Sequence, residues 1–132
     1  APPGSLSSAE GRVDMFTKGS DGLWDTTRRG SITSSSDVYG LGFSMSLHDG
    51  HRLVVGAPGD GGVSRGSVHV FDVGATQLTH VASFSDWANP GSQFGYSVTH
   101  EQLEGTAQVV IGAPKSNTAY VLRVDPTGST SW

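Results

Sequence analysis

Apolar and polar residues alternate through several short stretches of this chain. Phe43-Ser44-Met45-Ser46-Leu47 has the period-2 pattern of a half-buried strand, and Ser67-Val68-His69-Val70-Phe71 repeats it. Between them lies a continuous apolar run, Leu53-Val54-Val55, closed by Gly56-Ala57-Pro58. Polar or glycine-rich turns separate the three segments, so the pattern predicts an antiparallel meander. Gly or Pro interrupts nearly every window, and no apolar helical face lasts two turns. The chain is therefore expected to be all-β.

The same text returns downstream as Phe94–Val98, then Val109-Val110-Ile111-Gly112-Ala113-Pro114, then Ala119–Val124. Upstream, Gly11–Phe16 matches Gly66–Phe71, and Leu23-Trp24 is expected to open a strand running to about Ile32. Trp24, Leu78 and Trp132 stand 54 residues apart, while Gly11 and Gly66 stand 55 apart and Gly56 and Gly112 stand 56 apart. A period near 54 with small slips in loops marks an internal repeat. The complete unit holds four strands, at about Phe43–Leu47, Arg52–Val55, Ser67–Val73 and Gln77–Phe84. Four antiparallel strands in a repeat of roughly 40 to 55 residues are the pattern of a β-propeller blade. The boundaries follow: 1–36 for the third and fourth strands of a partial blade, 37–86 for a complete blade, and 87–132 for the first three strands of the next.

Composition narrows the function classes. With 19 Gly in 132 residues the chain is turn-rich, as many short strands require. A net charge of -4, with only Arg28-Arg29 adjacent among the basic residues, argues against nucleic acid as a partner. There is no Cys, so disulfide and thiolate chemistry are excluded. No apolar run approaches the roughly 20 residues of a membrane helix, so no membrane insertion is expected.

Leu41-Gly42-Phe43-Ser44 with Val55-Gly56-Ala57-Pro58, and Phe94-Gly95-Tyr96-Ser97 with Ile111-Gly112-Ala113-Pro114, resemble FG-GAP repeats. Such repeats build the seven-bladed propeller of integrin alpha subunits and of many surface proteins. The resemblance covers almost the whole chain, although the first copy reads Leu-Gly where the family prefers Phe-Gly. It implies an arc of about two and a half blades of a seven-bladed propeller. It also implies a non-enzymatic recognition or adhesion role, extracellular or at the cell surface, with a protein or carbohydrate ligand. Two alternatives stand beside it: a structural subunit completed by other chains in a ring or filament, and the accessory propeller of a larger surface hydrolase.

The motif residues have structural duties first. Gly42 and Gly95, beside Phe43 and Phe94, are expected where the inner strand meets its neighbours at close range. Gly56 and Gly112 are expected to end the second strand, with Ala57 and Ala113 following and Pro58 and Pro114 stopping the ladder. A Val at Gly112 is expected to cost about 1–3 kcal/mol, by a positive φ or a close approach. Trp24, Leu78 and Trp132 are expected to be wedged between blades.

Many relatives hold calcium between the first and second strands, on several carboxylates at alternate positions. Here those connections read His48-Asp49-Gly50-His51 and His100-Glu101-Gln102-Leu103-Glu104-Gly105, too poor in acids to enclose the ion. No metal and no cofactor are expected. The five histidines offer pairs, His48 with His51 and His69 with His80, but no set of three or four zinc ligands. No Ser occupies a nucleophile elbow, and Gly59-Asp60-Gly61-Gly62 lacks the helix and Lys of a phosphate loop.

In the resembled propellers, the loops after the second strand and between blades form the ligand face. That places Asp60, Ser64, Arg65, Lys115, Ser116 and Asn117 beside Asp37, Tyr39, Asp86, Trp87 and Asn89. The candidates taken from this set are Asp60, Arg65, Trp87, Asn89, Lys115 and Asn117. Trp87, in Ser85-Asp86-Trp87-Ala88-Asn89-Pro90, could stack on a sugar or partner side chain, or cover the junction between blades. Nine strands form an arc with bare edges, so the chain is expected to be a piece of a longer one or to be completed by other chains. Strands such as Ala119–Val124 would then offer unpaired backbone groups.

Overall fold

The structure, a computed structural model, describes residues 11–25, 27, 30–33, 40–48, 51–59, 65–75, 77–86, 89–103 and 106–124. Nine strands form three antiparallel sheets, with no α-helix among the described residues. The first sheet pairs β1 (Arg12–Met15) with β2 (Gly30–Thr33). The second runs β3 (Ser44–His48), β4 (Arg52–Ala57), β5 (Ser67–Val73) and β6 (Leu78–Ser85) in sequence order. The third runs β7 (Ser97–Leu103), β8 (Thr106–Ala113) and β9 (Thr118–Val124), with a 3-10 turn at Pro114–Ser116 between the last two.

The sheets stack face to face, and β4 shows why its sequence is continuously apolar. Leu53 and Val55 point to one side, where they join Val13, Leu41 and Phe71 in a core between the first and second sheets. Val54 points to the other side, where it joins Val68, Val70, Phe94, Val98, Val109 and Ile111 between the second and third. A strand buried on both faces cannot alternate. Each fully buried aliphatic side chain here contributes roughly 1.5–3 kcal/mol of burial free energy.

The two junctions reuse one backbone device. Gly42 and Gly95 have φ of +89° and +90°, a left-handed region that favours glycine. The Gly42 N–H donates to the Gly56 carbonyl at 3.2 Å, and the Gly95 N–H to the Gly112 carbonyl at 3.1 Å. A Cβ on Gly42 would meet the Arg12 carbonyl and Val13; one on Gly95 would meet the Ser67 carbonyl and Val68. Equivalent glycines thus press against equivalent strands of the preceding sheet. The first strands of these two sheets, β3 and β7, are also joined directly. The Ser44 hydroxyl donates to the Gly95 carbonyl at 2.9 Å, and the His100 N–H to Ser46 Oγ at 3.0 Å.

Three expectations need correction. The segment from Leu23 is not one strand to Ile32. Trp24 makes an isolated bridge to Lys18 across a turn held by Gly19 N–H to Leu23 carbonyl and by Leu23 N–H to Asp21 Oδ1. Among the described residues, pairing with β1 runs from Gly30 to Thr33. Trp24 is consequently 66% exposed rather than wedged between sheets, with the Lys18 ammonium 5.9 Å from its ring centre. Leu78 does open β6 and packs against the first core, while Trp132 lies outside the described residues. Gly56 and Gly112 do not end their strands, because both remain in the ladder opposite Ser44 and Ser97, and pairing runs on through Ala57 and Ala113 to the prolines. Nor does Gly112 carry a positive φ. A Cβ there meets chiefly the Ser97 hydroxyl, so Gly112→Val should sit at the mild end, about 1 kcal/mol. Equilibrium urea unfolding measures it, and a loss above about 3 kcal/mol would mean the Ser97 side chain cannot turn aside.

Candidate functional site

Three connections meet at one end of the second and third sheets: the one entering β5, the one between β6 and β7, and the 3-10 turn between β8 and β9. The Arg65 carbonyl accepts from both the Phe94 N–H and the Ser92 hydroxyl, each at 3.0 Å. The Lys115 N–H donates to the Ser92 carbonyl at 3.1 Å. Buried Ser92 is therefore the stitch that holds the Arg65 and Lys115 backbones beside each other. Pro114 starts the turn, and Asn117 ends it in the left-handed region at φ 52°, with its N–H on the Pro114 carbonyl. Lys115 and Asn117 are exposed, and Arg65 is half-buried.

Beside them lies a polar cluster around Asp86, which is only 7% exposed. The Tyr120 hydroxyl donates to Asp86 Oδ2 at 2.8 Å, and the Asn89 amide donates to both carboxylate oxygens at 3.1 and 3.2 Å. Tyr120 belongs to β9 and packs its ring against Phe94 at 5.2 Å, so the cluster anchors the β6–β7 connection to the third sheet. Burial pushes the Asp86 carboxyl up. The hydrogen bonds from Tyr120 and Asn89, with a smaller share from Ser92, outweigh burial and hold it below the ordinary carboxylate value. The Tyr120 hydroxyl is pushed up, first by its bond to Asp86 and then by burial.

The sign of the linkage follows. A lowered Asp86 stabilises the fold above the ordinary Asp range, and that contribution is lost as pH falls through the lowered value. A raised Tyr120 stabilises below the ordinary Tyr value, and its contribution is lost as pH rises through the raised one. Tyr120→Phe should cost about 1–2 kcal/mol at neutral pH and flatten both limbs of the stability–pH curve. Urea midpoints across pH test this; unchanged limbs would show that the cluster does not couple to folding.

Of the candidate residues, the structure gathers Arg65, Asn89, Lys115 and Asn117 at this end. Asp60 and Trp87 lie outside the described residues, as do Asp37, Tyr39 and Ser64. The sequence reading missed Tyr120 and Ser92. The signal for Tyr120 was an inward-facing strand tyrosine whose hydroxyl needs a partner.

The His69–His80 pair is found as expected, whereas His48 pairs with His100 rather than with His51. His48 stacks edge-on with His100 of the next sheet at 4.8 Å, and His69 lies 5.7 Å from His80 across β5 and β6. No group of three metal-ligating side chains occurs among the described residues. Ser67 and His69 are hydrogen-bonded at 2.8 Å, and Ser67 is buried. For calcium, Asp49 and Glu104 lie outside the described residues. Thermal melts with calcium chloride and with a chelator should superimpose; a shift of several degrees would show binding to the folded state.

No protein-family model matches the chain, and no curated protein matches it.

Proposed function

We propose that this chain is an arc of FG-GAP-type propeller blades that serves non-enzymatic recognition or adhesion outside a cell or at its surface. The observation that carries this reading is the repeated junction: Gly42 against Arg12 and Val13, then Gly95 against Ser67 and Val68. The same contact made twice by repeat-equivalent residues implies the same rotation from sheet to sheet, and continued rotation generates a propeller. The uneven burial of equivalent side chains supports an incomplete ring. Val98 and His100 of β7 are 8% and 9% exposed under the second sheet, whereas Met45 and Leu47 of β3 are 53% and 58% exposed beside a first sheet of two strands.

The face formed by Arg65, Asn89, Lys115 and Asn117 is the surface we assign to the ligand. Buried Ser92 ties its connections together, its hydroxyl donating to the Arg65 carbonyl and its carbonyl accepting from the Lys115 N–H, so these side chains stand on a fixed frame. The Lys115 ammonium and the Asn117 amide suit acidic or hydroxylated groups on a protein or glycan, while the Asn89 amide is held by Asp86. A panel of immobilised matrix proteins and glycans tests this. Saturable binding to at least one member should weaken roughly tenfold, about 1.4 kcal/mol, in Lys115→Glu and persist in Arg123→Glu at the far end of β9. Loss of binding in both variants alike, or binding by neither variant nor the wild-type chain, would overturn the assignment.

A further inference from the structure

Strand β7 repeats the register of β3. Ser44 pairs with Gly56 and Ser97 with Gly112, so Met45 matches Val98 and Leu47 matches His100. The third sheet carries an imidazole where the preceding repeat carries a leucine. His100 is 9% exposed, follows buried Val98 on the same side of β7, and pairs across the ladder with buried Val109. Its ring meets that of His48 on β3 edge-on, with centres 4.8 Å apart. At the same place the His100 N–H donates to Ser46 Oγ at 3.0 Å, joining β7 to β3. One titratable ring from each sheet closes this end of the junction.

We propose that His48 and His100 form an acid-sensitive latch between the second and third sheets, closed while the rings are neutral and loosened when they take up protons. Neutral rings can meet edge-on. Two imidazolium ions at this distance repel, and burial denies them the water that would screen the repulsion. The described charges around the pair do not offset it. After β3, exposed His51 donates its N–H to the His48 carbonyl at 3.1 Å and is itself a base. On β4, Arg52 stands opposite His48 and is already cationic, its guanidinium held by Asp72 of β5 at 3.0 Å. On β7, Glu101 is exposed and falls on the other face of the strand. Asp49 and Glu104, in the connections that follow β3 and β7, lie outside the described residues. An imidazole that is neutral in the folded junction and protonated in the unfolded chain binds fewer protons when folded. Its contribution to stability is full above the ordinary histidine value, about 6.5, and is lost as pH falls below it.

Urea unfolding of the full chain at about pH 7.5 and about pH 5 tests this on the wild type, His100→Leu, His48→Gln and His51→Gln. The unfolding equilibrium constant of the wild type should rise roughly tenfold or more in acid. His100→Leu, which restores the residue of the preceding repeat, and His48→Gln should each remove most of that rise. His51→Gln, outside the pair, should keep it. Where a variant does not fold, amide exchange in the wild type decides. The His100 N–H, corrected for the intrinsic pH dependence of exchange, should lose protection in acid before the amides of Val54 and Val55 do. The proposal is overturned if the wild type is as stable in acid as at neutral pH, or if the two pair variants keep the wild-type rise. It is equally overturned if His51→Gln removes the rise as fully as they do, or if the His100 amide stays protected until the whole chain unfolds.

Discussion

Gly56→Ala is expected to cost about 3 kcal/mol or more. A Cβ at Gly56 would land on the Gly95 carbonyl and the Ser44 hydroxyl. Neither group is free to retreat. The Ser44 hydroxyl already donates to that same carbonyl at 2.9 Å, and Gly95 is held in turn by its N–H bond to Gly112. The backbones of the second and third sheets meet here with only glycine between them, so the methyl must pry the junction apart. Gly112→Ala is the control. It meets only a Ser97 hydroxyl on an exposed residue, and it should cost about 1 kcal/mol or less. Equilibrium urea unfolding of the two variants decides the matter; equal costs would mean the close approach at Gly56 is not real.

Ile111→Ala should cost about 2–4 kcal/mol, because Ile111 is fully buried in the core between the second and third sheets and the vacated volume cannot be refilled by neighbours on two rigid strands. Its chain neighbour Val110 faces outward at 39% exposure, and Val110→Ala should cost about 0.5 kcal/mol. The contrast reverses at β4. Val54→Ala and Val55→Ala should each cost roughly 2 kcal/mol, although the side chains point to opposite faces. An alternating cost at 110 and 111 beside a continuous cost at 54 and 55 is the energetic signature of an end sheet beside a middle one. A cheap Val54 or Val55 would remove that distinction.

These contrasts show how much the sequence reveals. The alternation in Ser67–Val73 places β5 at its observed bounds, and the run Leu53-Val54-Val55 places β4, although its burial on both faces emerges only from the stacked sheets. Such features are local, and period alone carries them. Leu23–Ile32 misled because Trp24 has strong strand propensity, while the outcome was set by Asp21 and Gly22 turning the chain back on Lys18. Gly56 and Gly112 read as terminators because glycine usually interrupts a ladder; at Gly56 the missing side chain makes room for the Gly95 carbonyl beside the next sheet, about 40 residues away in sequence, whereas Gly112 simply continues its own ladder opposite Ser97. The pairs Asp86–Tyr120 and His48–His100 were illegible for a related reason. Repeat spacing identifies equivalent residues, but it does not say which side chain of one sheet faces which of the next.

The central claim is that the sheets stack in sequence order, with the second between the first and third. Methyl–methyl and methyl–aromatic nuclear Overhauser effects in the isotope-labelled chain test it most directly. Val55 should contact Val13 and Phe71, Val54 should contact Val109 and Ile111, and Val13 should contact neither of the latter two. Cross-peaks joining Val13 to Val109 or Ile111 would place the first sheet against the third and contradict the open arc.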